Sequence, residues 1–203
     1  MYRFLVLILA IWSGLAMATE QPKYEVLYQQ DEFELREYSQ MIVAETLVNG
    51  AMDDASGDGF RAIADFIFGN NRSASGSSEK ISMTAPVTMA SASSKVSMTS
   101  SAEMEDKHGK WRVHFVMPSE YTMETLPKPN SEAVTLREVP VTRFAVISFS
   151  GLTGEKKVSA KTTELLTWLQ EKGITPRGEP ELARYDPPWT LPFLRRNEVM
   201  VEY

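Results

Sequence analysis

Two histidines, eleven methionines and no cysteine are what this 203-residue chain can offer a metal. His108 lies in the hydrophilic turn Asp106-Lys107-His108-Gly109-Lys110 and is read as solvated. His114 alternates with Trp111, Val113, Phe115 and Met117, so on a strand it points to the face opposite that apolar set. The methionines suggest copper, because thioethers suit Cu(I). Met83, Met89, Met98, Met104 and Met117 are strung along predicted strands, however, and gap-filling in a core explains them better. The missing cysteines exclude disulfides, thiolate metal sites and a cysteine nucleophile together. The chain also has no Gly-x-Ser-x-Gly elbow, no His-Glu-x-x-His and no phosphate-binding loop. No residue is assigned a catalytic role, and no metal ligand is assigned.

The elements that would position any site show a repeat. Phe33-Glu34-Leu35-Arg36-Glu37-Tyr38 and Val134-Thr135-Leu136-Arg137-Glu138-Val139 share Leu-Arg-Glu, at a spacing that Ala44 and Ala145 keep. Asn49-Gly50 matches Ser150-Gly151 at the same spacing, where a second apolar run ends in each copy. A helical pattern follows each glycine: Phe60, Ile63, Ala64, Ile67 and Phe68 in one half, Leu165, Leu166, Trp168 and Leu169 in the other. Strands are then expected over 80–90, 96–104 and 110–117, and over 181–185 and 197–203. The expected fold is α+β: a distorted antiparallel β-barrel of about eight strands with two helices, made of two pseudo-twofold-related ββαββ halves. On the first helix, over about 59–68, Phe60, Ile63, Ala64 and Ile67 share one face, with Arg61 and Asp65 off it. Core packing is enough to explain such a stripe. Tyr185, Trp189 and Phe193, stiffened by Pro187, Pro188 and Pro192, read as a core plug or a cleft wall.

The chain opens with Met1-Tyr2-Arg3, an apolar run from Phe4 to Ala16, and Ala16-Met17-Ala18 ahead of Glu20. A charged start, a short apolar stretch and a small-x-small site read as a cleavable signal peptide over 1–18, with Thr19 as the new N-terminus. The run is shorter than the roughly 20 residues that a spanning helix needs. No stable membrane anchor is therefore expected after cleavage. Export without cysteines fits a periplasm, or secretion. Cleavage removes Arg3 from the 21 Lys+Arg and leaves 20 against 27 Asp+Glu, a net charge of −7. That balance argues against nucleic acid as a partner. The remaining 19–203 suit one domain, and no protein partner is predicted.

Several stretches resemble segments of the SOUL/heme-binding protein family: Phe33-Glu34-Leu35-Arg36-Glu37-Tyr38, Phe68-Gly69-Asn70-Asn71, and Lys80-Ile81-Ser82-Met83-Thr84-Ala85-Pro86-Val87. Further on come Phe115-Val116-Met117-Pro118, Leu126-Pro127-Lys128-Pro129-Asn130, Tyr185-Asp186-Pro187-Pro188-Trp189-Thr190 and Arg195-Arg196-Asn197-Glu198-Val199. They stand in the family's order and cover nearly all of 24–203. The resemblance implies a two-helix distorted barrel of two similar halves. It also implies non-covalent binding of heme or another tetrapyrrole in a shallow hydrophobic cleft beside the first helix.

On that reading the cleft residues are Phe60, Arg61, Ile63, Ala64 and Ile67, with the outer edge near Phe60 and Ala64 open to a flat apolar ligand. Heme propionates call for charge-assisted hydrogen bonds, and Arg61, Lys80, Arg195 and Arg196 are the candidates. An ion pair with Glu198 is the competing role for the Arg195-Arg196 pair. The first helix carries Asp65 and few cations, a departure from animal heme binders, whose first helix is richer in basic residues and Met. The alternatives are an enzyme that demetallates or degrades a tetrapyrrole, and a sensor or carrier of another amphipathic small molecule.

Overall fold

Each apolar run that ends in a glycine becomes a strand that turns directly into a helix. The computed structural model describes residues 19–92 and 109–203. The leader at 1–18, the strand expected over 96–104, and His108 lie outside them. In chain order the elements are β1 (Tyr24–Gln30), β2 (Phe33–Tyr38), β3 (Met41–Asn49), α1 (Met52–Ile67), β4 (Asn71–Arg72), β5 (Val87–Ser91) and β6 (Lys110–Val116). After them come β7 (Lys128–Pro129), β8 (Thr135–Val139), β9 (Thr142–Phe149), α2 (Glu155–Glu171), β10 (Glu181–Arg184), a short 3-10 turn (Pro192–Leu194) and β11 (Asn197–Glu202). Gly50 and Gly151 stand at the two strand-to-helix turns with φ of 133° and 103°. Side-chain-bearing residues rarely adopt such angles, which is why both halves carry glycine there.

Nine strands form one curled antiparallel sheet in the order β1-β2-β9-β11-β10-β5-β6-β3-β8. β4 and β7 make a separate two-stranded ribbon. Exchanging each first-half strand for its second-half counterpart reverses the order of the inner eight strands and changes nothing else. The expected α+β architecture of two related halves is therefore present, with β1 as an added edge strand outside the repeat. The registers obey the same operation. Leu35 pairs with Ala145, and Leu136 pairs with Ala44. The axis passes through the Met89–Leu182 pair, where β5 meets β10. Each half also lends its first strand to the other, since β2 lies beside β9 and β8 beside β3.

Both helices cover one face of the sheet, α1 over β3 and β6, α2 over β9 and β11. Alternation along the strands sends Ala44, Val113, Phe115 and Met89 toward α1, and Ala145, Ile147, Val199 and Val201 toward α2. Val113 approaches α1 so closely that a Cβ on Gly59 would lie 2.6 Å from it. The helix can sit at this depth only because residue 59 has no side chain. The other strand parity lines the concave face. There Arg36 makes two 3.0 Å hydrogen bonds to the buried Glu198 carboxylate, with a third donated to Tyr38 Oη.

Candidate functional site

α1 begins well before the expected residue 59, at Met52, with Asp53 and Asp54 in its first turn, where carboxylates complement the helix dipole. Ile63 and Ile67 are wholly buried in the core with Phe66 and Met52. They hold the helix on the sheet and present no surface to a ligand. Ala64 is only 8% exposed, and it lies between two exposed rings. Phe60 is 38% exposed and Phe68 56%. Residues 60, 64 and 68 are spaced four apart, so they run along one ridge of the helix. Phe68 closes it, its backbone N–H donating to the Ala64 carbonyl at 2.9 Å.

The ridge is rigidly backed. Phe60 packs on Phe115 with ring centroids 5.6 Å apart, and Ile81 N–H donates to the Ile67 carbonyl at 2.8 Å. That bond lays 80–83 along the end of α1. It brings Lys80 Nζ to 5.8 Å from the Phe68 ring centroid, a cation held over an aromatic face. Phe68 took no part in the expected site, although Phe68-Gly69-Asn70-Asn71 was legible as a segment. Its place four residues beyond Ala64 was the signal that would have added it.

The other expected cations are committed elsewhere. Arg61 projects into solvent and pairs with Asp58 one turn earlier. Arg195 donates from Nε to the Thr190 carbonyl at 2.7 Å and from Nη2 to the Pro188 carbonyl, which braces the loop before β11. Arg196 takes the ion-pair role, its Nη2 2.6 Å from Glu198 Oε1. Of the residues expected to hold a ligand, the structure brings Phe60 and Lys80 to the surface at α1, with Ala64 buried between the Phe60 and Phe68 rings. Trp189 is 83% exposed, and Phe193, Leu191 and Leu194 are exposed with it, so that part of the aromatic segment is not a core plug, while Tyr185 packs against the core and lines a cavity on the concave face. Met89 and Met117 are buried in the core, the gap-filling role expected of them.

His114 is on β6 between Val113 and Phe115, which face α1, so its ring lies on the concave side of the sheet. Burial and the nearby Arg137 and Arg112 charges press its imidazole down to about 3. It is neutral at physiological pH, and the full thickness of the sheet separates it from the ridge. Among the described residues no group of three or more His, Asp or Glu is placed to hold a metal ion.

The same fold occurs in solved structures of low sequence identity. The C-terminal domain of EcmrR is 13% identical with a TM-score of 0.60, over 87% of this chain and 97% of that one. A hydrolase from Listeria innocua is 12% identical with a TM-score of 0.54, over 86% and 93%. An uncharacterized conserved protein from the same organism is 12% identical with a TM-score of 0.53, over 91% and 93%. At such identities the likeness is one of fold alone. No curated protein matches the chain. The family model of the SOUL heme-binding protein does match, over residues 19–202, and so takes in both halves, the α1 ridge and the concave face; the chain belongs to the SOUL heme-binding protein family.

Proposed function

We propose that the chain leaves the cytoplasm, loses residues 1–18, and holds heme or a related tetrapyrrole against the outer edge of α1. The observation that carries this reading is the ridge of Phe60, Ala64 and Phe68, exposed at both ends and backed by core at its centre. Two rings and a methyl group in a row suit a flat apolar macrocycle. Lys80, already over the Phe68 face, supplies a charge-assisted hydrogen bond to a propionate. Burying a few hundred Å² of macrocycle at roughly 25 cal/mol per Å² contributes on the order of 10 kcal/mol. Association costs roughly 4 kcal/mol or more. Micromolar or tighter binding follows from apolar contact without an axial ligand, in keeping with a ridge that has no imidazole.

The test is a titration with hemin, protoporphyrin IX and an unrelated flat apolar dye. Both porphyrins are expected to saturate at about one per chain, hemin with a shifted Soret band, and the dye to bind far more weakly. Ala64→Asp places a carboxylate beside the propionates in an apolar contact, and is expected to weaken hemin binding at least tenfold. His108→Ala is expected to leave binding unchanged, and circular dichroism must show both variants folded. Unchanged affinity in folded Ala64→Asp removes the ridge as the site. Mass spectrometry of the exported protein tests processing: Thr19 is the expected first residue, and an intact Met1 refutes it.

A further inference from the structure

The concave face of the sheet holds a cavity of about 290 Å³ that the α1 ridge does not reach. Thr88, close to the pseudo-twofold axis, lines its floor. Ala90 on β5 pairs with Glu181 on one side and Arg112 on the other, and Thr88 likewise stands between Ala183 and His114. Glu181 and Arg112 therefore flank Ala90 two strand spacings apart, about 10 Å between backbones. Tyr38, Phe144 and Met200 supply apolar wall.

Three groups facing this cavity are incompletely satisfied. Among the described residues, Arg112 Nε and His114 Nδ1 are buried without a hydrogen-bond partner. Arg112 takes part in none of the ion pairs among those residues, whereas Arg137 beside it is held by Glu45 at 3.0 Å. Glu181 receives no hydrogen bond from the described residues, and burial, partly offset by Arg112 and Arg137 and reinforced by Glu202 and Glu45, pushes its carboxyl up to about 7. Buried donors in native proteins are nearly always paired. A guanidinium at a cavity wall with a buried, unpartnered Nε is suited to take a carboxylate through two parallel hydrogen bonds.

We propose that the cavity binds a small organic carboxylate, with its anionic head on Arg112, a hydroxyl or amino group at its far end on Glu181, and its body against Tyr38, Phe144 and Met200. The volume lies at the lower end of the roughly 300–1,000 Å³ typical of small-molecule sites. A single substituted ring fills it. The head-to-tail polarity follows from the lining: Arg112, His114 and Arg137 lie toward β6 and β8, and Glu181 and Glu202 toward β10 and β11. This site is independent of the porphyrin reading, because the sheet separates the two.

Calorimetric titration of the protein with 4-hydroxybenzoate, benzoate and benzyltrimethylammonium tests it. The expected result is one 4-hydroxybenzoate per chain, benzoate weaker by about tenfold for want of the bond to Glu181, and the ammonium weaker than both. Arg112→Met keeps the length of the apolar stem and removes the charge. It is expected to weaken 4-hydroxybenzoate at least tenfold while circular dichroism stays unchanged and the melting temperature holds or rises. If that variant does not fold, the parent decides through its His114 imidazole NMR signal: saturable displacement by 4-hydroxybenzoate supports the site and its absence overturns it. The proposal is also overturned by tighter binding of the ammonium probe, by no carboxylate binding at millimolar concentration, or by unchanged affinity in folded Arg112→Met. Hemin is expected not to compete, and competition would merge the two sites and refute this one.

Discussion

The pseudo-twofold axis sets two polar clusters against each other on the concave face, and one reversed charge between them leaves one satisfied and the other not. Arg36 on β2 and Arg137 on β8 occupy equivalent positions of the repeat. Arg36 meets Glu198 through two parallel hydrogen bonds, and Tyr185, Ser148 and Arg196 donate to the same carboxylate. Burial pushes the Glu198 carboxyl up, but hydrogen bonds and charge from Arg36, joined by Tyr185 and Arg196, outweigh it and hold the group below its ordinary value. In the other half the residue equivalent to Glu198 is Arg112, given the matching pairings of Val113 with Met89 and Val199 with Leu182. Two arginines cannot pair, so Arg137 turns to Glu45 and Arg112 keeps an unpartnered Nε. One copy of the repeat is a closed structural lock. Its counterpart, with that one charge reversed, has capacity left for a ligand.

The largest effect that tests this contrast is Glu198→Ala. It strands Arg36 in a buried site, and losing one member of a buried pair costs about 4 kcal/mol. Urea denaturation measures it, and a loss under 1 kcal/mol would mean that the lock is not structural.

A middle-sized effect comes from pH. His114 is lowered to about 3 from 6.5, so its contribution to stability is complete above 6.5 and is lost as pH falls toward 3. Glu181 is raised to about 7 from 4.5, so its contribution is complete below 4.5 and is lost as pH rises toward 7. Between 4.5 and 6.5 the two slopes cancel. Glu181→Gln removes one of them, and its stability relative to the parent is expected to climb by about 2 kcal/mol from the lower to the upper end of that window. The charges around both groups, Arg112, Arg137, Glu45 and Glu202, remain in the variant. Denaturation series at several pH values read the slope, and a flat difference would show that burial does not raise the Glu181 carboxyl.

The smallest effect is expected at Glu45→Ala. Its partner Arg137 is well exposed, and exposed pairs contribute about 1 kcal/mol or less. A loss comparable to that of Glu198→Ala would erase the contrast between the clusters.

Much of the architecture was legible because repetition and alternation are properties of the chain itself. Leu35 and Leu136, Ala44 and Ala145, and Gly50 and Gly151 announced two copies of one unit, and the strand registers pair them by that rule. The odd-numbered residues from Trp111 to Met117 announced which face His114 takes. The expected strand over 80–90 was too long at its start: the ladder begins at Val87, just after Pro86, which has no N–H to donate. β1 carries no signal of this kind because it lies outside the repeat. The stripe on α1 was legible as a stripe, but not which members remain exposed. Ile63 and Ile67 face the sheet, Ala64 is nearly covered, and Phe60 and Phe68 keep an outer edge.

By itself the sequence determined the repeat, the order of strand and helix in each half, the two glycine turns and the family, since all of these depend on residue type and spacing along one chain. Only the tertiary structure decided that each half lends its first strand to the other, that Arg36 meets Glu198 from the far end of the chain, and that Arg112 and Glu181 face one another across Ala90. Such pairings depend on which strands become neighbours when the sheet curls. Side chains far apart in sequence carry no local signal of the partner they will find, or of the partner they will lack.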